Sequence, residues 1–524
     1  MLAQIADQSL ECSRPQKRMA VHAACAALAA FLCGNPAKAA ACTELPAQSK
    51  LWVRLTAPIS SYNAKPGMPI HGFLLDSPAC GETPVFPIKI PVEGHVVSAH
   101  RVGLGLWHET ATLEVEFDRL LPSDAPPVEI HGRVLQIDNA REQVKKGVIH
   151  GIRATDTPQG TISSRLRHMP SLQLYPDPVL LGYKMLFPVF PESEICLEPG
   201  TDLEIELPAA THLPADFDAA PAPSLDVLSP DPASQANDQQ IAHDLADLPE
   251  RTLTKKGKAA DVINVIFTGS RTDLEMAFAT AGWLPSEHIS KNTIRHQFLA
   301  FLAKTNNATG PMSAQFLEGR PADLMLEKTF DSYEKRDHLR VWSVAPDPDG
   351  TQLWASASVR ETGATLSVRH KGFMHHVAPD LNQAQHVVVR DLLAAGCVAS
   401  VGSIARPDMD HILINATGEI FRTDGKLTVL HLKPCSSDYE GAGFTNAPHY
   451  RPSNKVYRYA RKEILTVRSD IWRANILYAG YDLTQITVKA FQRSALHRAD
   501  MHSFRDGNSP ALTINSSHSA GQSE

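Results

Sequence analysis

The stretch KRDHLRVWSVAPDPDGTQLWASASVR, Lys335 to Arg360, decides what the second half of this chain becomes. Side chains alternate along a strand, so Arg336, His338, Arg340 and Trp342 share one face while Asp337, Leu339 and Val341 share the other. Pro348-Asp349-Gly350 then turns the chain back into a second strand. The expectation is a hairpin that buries Leu339 and Val341 and presents a rigid, cationic, histidine-bearing row. Three roles compete for that row: a catalytic site, a docking surface for something anionic, or a solvated sheet face. In the last, the cations pair with carboxylates such as Glu361 or Asp391, and Trp342 stacks on Trp354 across the hairpin.

Working outward, DVINVIFTGSRTDLEMAFATAGW (261–283) reads as a buried strand over Val262–Phe267 followed by a helix. Ser270 caps that helix, Leu274, Ala277, Phe278 and Ala281 form its apolar stripe, and Gly282 ends it. Further on, Asp380 caps a helix over Leu381–Ala395, and EIFRTDGKLTVLHL (419–432) is a hairpin through Asp424-Gly425. Strands pair locally and helices pack on one side, which predicts an α+β sandwich over residues 259–435.

Residues 40–207 are different. TATLEVEFDRL (110–120) places Leu113, Val115 and Phe117 on one face and charged residues on the other, and VEIHGRVLQID does the same. No helical period persists, so an all-β barrel or sandwich of roughly eight strands is expected. Residues 208–258 are rich in Pro, Ala and Asp, a composition that predicts a disordered linker. Residues 436–524 read as a basic extension, with Arg458, Arg461 and Lys462, and a disordered tail.

The first 39 residues follow the order of an export signal: Lys17-Arg18, an apolar run from Ala20 to Leu32, then Ala37-Lys38-Ala39. That run is too short to span a bilayer, which needs about 20 apolar residues. The expectation is a periplasmic or secreted protein with no transmembrane segment in the mature chain; a lipid anchor on Cys42 is the alternative to a free end at Ala40. Beyond the leader and Cys42, four cysteines remain, and Cys80–Cys196 with Cys397–Cys435 is one of 3 connectivities. A net charge of −7 on 524 residues gives no reason to expect a nucleic-acid partner.

NVIFTGSRTDLEMAFATAGW, FLEGRPADLMLEK, KRDHLRVW, LWASASVRETG and HHVAPDLNQAQHVVVRDLLAAG stand in an order that resembles the LssY-like C-terminal domain family, from about Val262 to Pro434. The resemblance implies an association with secretion or the cell envelope. In many members the domain follows membrane modules, one of the acid-phosphatase type; here an export-type leader and a β-domain precede it, so phosphatase chemistry is not carried over. The polar residues that match the family motifs are Arg320, Asp323, Arg336, His338, Arg340, Trp342, His375, His376 and Asp380. Arg320, Arg336 and Arg340 suit an oxyanion, because guanidinium forks bind phosphate or carboxylate bidentately. His338 or His376 would then be the catalytic nucleophile or general acid. A His338–His376–Asp380 metal site is the third alternative, although Asp380 already has a sufficient role as a helix cap. The sequence names no cofactor. The leading expectation is an exported binding component whose partner is an envelope protein or an anionic envelope component; the alternative is a hydrolase of a phosphorylated lipid or glycan.

Overall fold

A computed structural model describes residues 43–158, 192–213 and 232–435, apart from short gaps within them, and parts of 454–465, with residues 488 and 491. The expected leader, Cys42 and nearly all of the tail lie outside the described residues.

The N-terminal body is a closed barrel of six antiparallel strands: β1 (Lys50–Leu55), β2 (Pro69–Leu74), β3 (Pro91–His100), β4 (Thr112–Leu120), β5 (Val128–Ile137) and β6 (Asp202–Glu206). The order β4-β3-β2-β1-β6-β5 closes because β5 pairs back onto β4, Phe117 opposite Gly132. Closure pairs the outer strands with each other, and a short hairpin of Gln143–Lys145 with Val148–His150 extends the sheet from the start of β4. The alternation in β4 sends Leu113, Val115 and Phe117 into one core with Val53, Val92, Val134 and Ile205.

The second body is built on an eight-stranded sheet. Its strands are β9 (Val265–Thr268), β10 (Leu284–Pro285), β13 (Leu324–Thr329), β14 (Arg336–Pro346), β15 (Gln352–Ser367), β16 (Gly372–Val377), β17 (Val398–Ala405) and β20 (Lys426–Leu432), while β18 (Ile412–Ile414) and β19 (Ile420–Arg422) pair with each other apart from it. The order is β10-β13-β14-β15-β9-β20-β17, with β16 on the far part of β15; β9 and β20 run parallel, and the other pairs are antiparallel. One face carries α2 (Arg271–Thr280) and α4 (Leu381–Ala394), packed on Val265, Phe267, Leu339, Val341 and Leu430. Ser270 and Asp273 form a capping box, and Asp380 accepts from the Asn382 N–H at 3.0 Å. A third helix, α3 (Lys291–Ala303), places Phe301 and Leu302 against Ala364 of β15.

The opposite face is covered too, which the sequence reading did not anticipate. Residues 232–258, expected as linker, supply α1 (Pro232–Asp244) and β7 (Arg251–Thr254). Together with β8 (Ala259–Val262), β11 (Gln315–Leu317) and β12 (Arg320–Pro321), β7 forms a second sheet in the order β8-β7-β11-β12. Ile241 of α1, Leu245 and Leu317 pack there on Ile266, Trp342 and Val429. Among the described residues, α1 and β7 thus pack as part of the second body, within the stretch expected as linker. Trp342 and Trp354 do not stack: Trp342 belongs to this layer and Trp354 to the layer under α2 and α4.

Cys397 and Cys435 are joined in a disulfide. Cys196 is buried, its Sγ 3.5 Å from Ser60 Oγ, and the side chain of Cys80 lies outside the described residues. Among the described residues no helix is long and apolar enough to cross a membrane.

Candidate functional site

Strand β14 alternates as its sequence demands, yet its cationic row does not face water. Arg336, His338 and Arg340 are 1%, 6% and 4% exposed. Residues outside the main sheet lie against two of them: Asp261 and Ser313 meet Arg340, and Gly310 sits against Arg336. Such burial requires partners, because an unpaired charge in the interior is far too costly.

Arg336 donates through Nη1 to Glu327 Oε2 at 3.0 Å, and through Nε and Nη2 to Glu361 Oε2 at 3.3 and 3.2 Å. His338 stands between the same two carboxylates, with Nδ1 3.1 Å from Glu361 Oε1 and Nε2 3.6 Å from Glu327 Oε2. The second distance is an ion-pair approach, longer than a hydrogen bond. His375 of β16 completes the group, its Nδ1 2.8 Å from Glu361 Oε2. Arg340 belongs to a separate anchor: Nη1 donates to Asp261 Oδ2 at 2.8 Å and Nε to the Ser313 carbonyl at 3.2 Å.

Electrostatics follow from this geometry. Burial pushes the His338 imidazole down, but Glu361 and the contact with Glu327 outweigh it and Arg336, so its pKa is raised from 6.5. Burial alone would raise Glu361; His338, His375 and Arg336 instead hold it well below 4.5. The result is a buried, largely charge-balanced cluster whose ionised state is its stable one.

The other face of the same strands carries a second cluster, which joins the two bodies. Arg54 of the barrel donates to Asp202 at 2.7 and 2.8 Å and to Asp391 of α4 at 2.7 Å. Asp391 also accepts from Lys328 Nζ at 2.7 Å and Trp283 Nε1 at 2.9 Å, while Arg390 donates to Asp202 at 3.0 Å. Beside them Arg360 bridges Asp337 and Asp138 of the barrel at 2.8 and 3.0 Å, and Lys335 meets the same Asp138. Burial would raise Asp138, but Arg360 and Lys335 bring it down to about 2; Lys328 and Arg54 outweigh burial at Asp391 and push its pKa down. Apolar contacts of Phe73 and Leu75 with Ala394 complete the joint.

The remaining expected site residues lie apart. Arg320 is exposed and donates through Nη2 to the Ser343 carbonyl at 2.8 Å. His376 is half-buried, with Nδ1 3.1 Å from Glu419 Oε1. It is His375, not His376, that shares Glu361 with His338, because neighbours on a strand point to opposite faces. Arg320, Arg336 and Arg340 therefore do not form one oxyanion clamp: the second and third are occupied by carboxylates from different strands. Asp380 serves as the cap of α4, and among the described residues no group of His, Cys, Asp or Glu is placed to hold a metal ion. Glu361, expected as a carboxylate partner of the cationic row, is one, whereas Asp391, expected with it, pairs instead with Arg54 and Lys328; Glu327, Lys328 and Arg360 were missed. A signal was available in LMLEKT (324–329), where Glu327 and Lys328 sit side by side in a strand.

Residues 245–427 match the family described as LssY C-terminus. Their start coincides with the end of α1 and their end lies in β20, so the match covers both sheets of the second body and not the barrel. Among solved structures, ComB10 of the Com type IV secretion system of Helicobacter pylori aligns at 9% identity with a TM-score of 0.20, over 34% of this chain and 95% of that one. No curated protein matches.

Proposed function

We propose that this chain, whose residues 245–427 match the LssY C-terminus family, is an exported envelope component that acts by binding a partner rather than by catalysis. The observation that carries the reading is that Arg336, His338 and Arg340 are consumed by Glu327, Glu361 and Asp261 inside the fold, which leaves no free nucleophile or oxyanion clamp on this row. The cationic flank, apolar run and Ala37-Lys38-Ala39 site support export, as does the disulfide Cys397–Cys435, a bond that persists in oxidising compartments. The ion network between barrel and second body favours one rigid binding unit over two tethered modules.

Fractionation with N-terminal sequencing tests export: the mature chain is expected to begin at or near Ala40, or at a blocked Cys42. A full-length cytoplasmic chain would overturn it. The competing reading is hydrolysis of a phosphorylated lipid or glycan at His338, which Glu361 orients as a base-holding carboxylate would. Release of phosphate from such substrates by the purified protein, abolished by His338→Gln in a folded variant, would decide for the enzyme.

A further inference from the structure

The chain returns to the barrel after leaving the second body. Residues 455–458, 460, 461, 464 and 465 are helical, and Asn454 caps them, accepting from the backbone N–H of Val456 and Tyr457 at 2.9 and 3.1 Å. Arg461 and Leu465, four apart and so on one helix face, are both buried. Leu465 joins the barrel's apolar core. Arg461 donates through Nη2 to the Val102 carbonyl and to Glu194 Oε1, each at 2.7 Å, and its guanidinium lies 5.6 Å from the Tyr62 ring centroid.

Among the described residues, the groups that hold Arg461 all belong to the barrel, and Glu194 has partners of its own there. Glu194 is 3% exposed and is oriented by Ser61 Oγ at 2.7 Å and the Val102 N–H at 3.2 Å. A buried carboxylate, a carbonyl aimed the same way and an aromatic face form a receptor for one guanidinium. The place is remote from the joint between the bodies. Strand β3 starts at Pro91 opposite Phe73, which contacts Ala394, and its ten residues carry the chain about 30 Å before Val102.

Among the helix's described residues, Val456, Tyr457 and Ile464 are 77%, 48% and 51% exposed, while Arg461 and Leu465 are buried. Covalent linkage sustains such a contact in cis by raising its effective concentration. We infer that this end of the barrel is a recognition site for a helical peptide with an arginine and an apolar residue four positions on, and that the chain's own residues 454–465 occupy it as an exchangeable internal ligand. A partner with the same pair and a larger contact surface would displace them. The inference names a site for the binding role proposed above, but it holds for the barrel wherever the protein resides.

The test uses the full chain with a protease site introduced between Cys435 and Asn454 and cut after folding. A labelled peptide of residues 454–470 is then titrated and followed by fluorescence anisotropy. Saturable binding to the cut protein is expected, with binding to the uncut protein and binding of an Arg461→Ala peptide each weaker by about tenfold or more. Glu194→Gln in the cut protein should reproduce that loss. The inference is overturned if the cut protein retains its own segment against excess peptide, if cutting unfolds the barrel, or if the Arg461→Ala peptide binds equally well. Because no step depends on compartment or catalysis, its failure is distinct from failure of the envelope reading.

Discussion

Arg54 and Asp391, 337 residues apart, meet at 2.7 Å where neither side chain is open to water. One is in the barrel and the other in the second body, so the two bodies share a buried ion pair beyond the partners each has at home, Asp202 and Lys328. Asp391→Asn keeps the shape but leaves Arg54 and Lys328 short of a counter-charge. Loss of one partner of a buried pair costs about 3–5 kcal/mol. Urea denaturation of Asp391→Asn should show that loss, and calorimetry should split one transition into two. A single unshifted transition would mean the pair does not couple the bodies.

The Glu361–His338 cluster predicts a stability maximum in mildly acidic solution. The pKa of Glu361 is lowered in the folded state, so its contribution is present above 4.5 and is lost as pH falls through the folded value. That of His338 is raised, so its contribution is full below 6.5 and is lost as pH rises through the folded value. Both are fully present between about 4.5 and 6.5. Denaturant midpoints measured across pH should peak there, and His338→Gln should abolish the alkaline limb and also shrink the acid limb, because His338 is the foremost charge holding Glu361 down.

Gly310 sits against the guanidinium of Arg336. A Cβ at that position would lie 2.1 Å from Nη1, and the guanidinium cannot retreat without giving up Glu327 or Glu361. Gly310→Ala is expected to cost about 1–3 kcal/mol, as overpacking does. Gly363→Ala, whose Cβ would meet only His376 Cδ2 at 3.9 Å, is the control and should be near neutral. Equal stability of the two variants would remove the strain argument.

Helix α1 should resist proteolysis, contrary to the linker composition of its sequence. Its Asp238 accepts from His431 Nε2 at 3.0 Å and lies against Gly402. A Cβ on Gly402 would come within 1.9 Å of that carboxylate. Gly402→Ala should therefore loosen α1, and cleavage within residues 232–245 should accelerate in the variant. Rapid cleavage there in the unaltered protein would contradict the docked helix.

The alternation of β14, the caps at Ser270 and Asp380 and the strands of the barrel were all legible, because each is written in neighbouring residues. Burial of Arg336, His338 and Arg340 was not, because it depends on what lies above them. Arg340 is met by Asp261 and Ser313, and Arg336 by Gly310, none of them a neighbour in sequence. The linker reading failed separately: α1 reads PASQANDQQIAHD, and among its described residues Ile241, with Leu245 just beyond, packs on the sheet, too few apolar groups to mark a helix by period. Closure of β5 onto β4 and the meeting of Arg54 with Asp391 are long-range pairings that no local pattern encodes.

The parallel pairing of β9 with β20 has a kinetic side. Val265 lies beside Thr428, and Thr268 reaches His431 across a sequence separation of 163. Emerging from its N-terminal end, whether from a ribosome or through a membrane, the chain can fold its hairpins at once. Strand β9, in the interior of the sheet, then has β15 on one side and a vacant row of backbone donors and acceptors on the other. Only when residues 426–432 arrive is that row filled. Contacts of such separation slow folding, so the interval in which β9 can pair with a wrong strand is set by delivery of the domain's last strand.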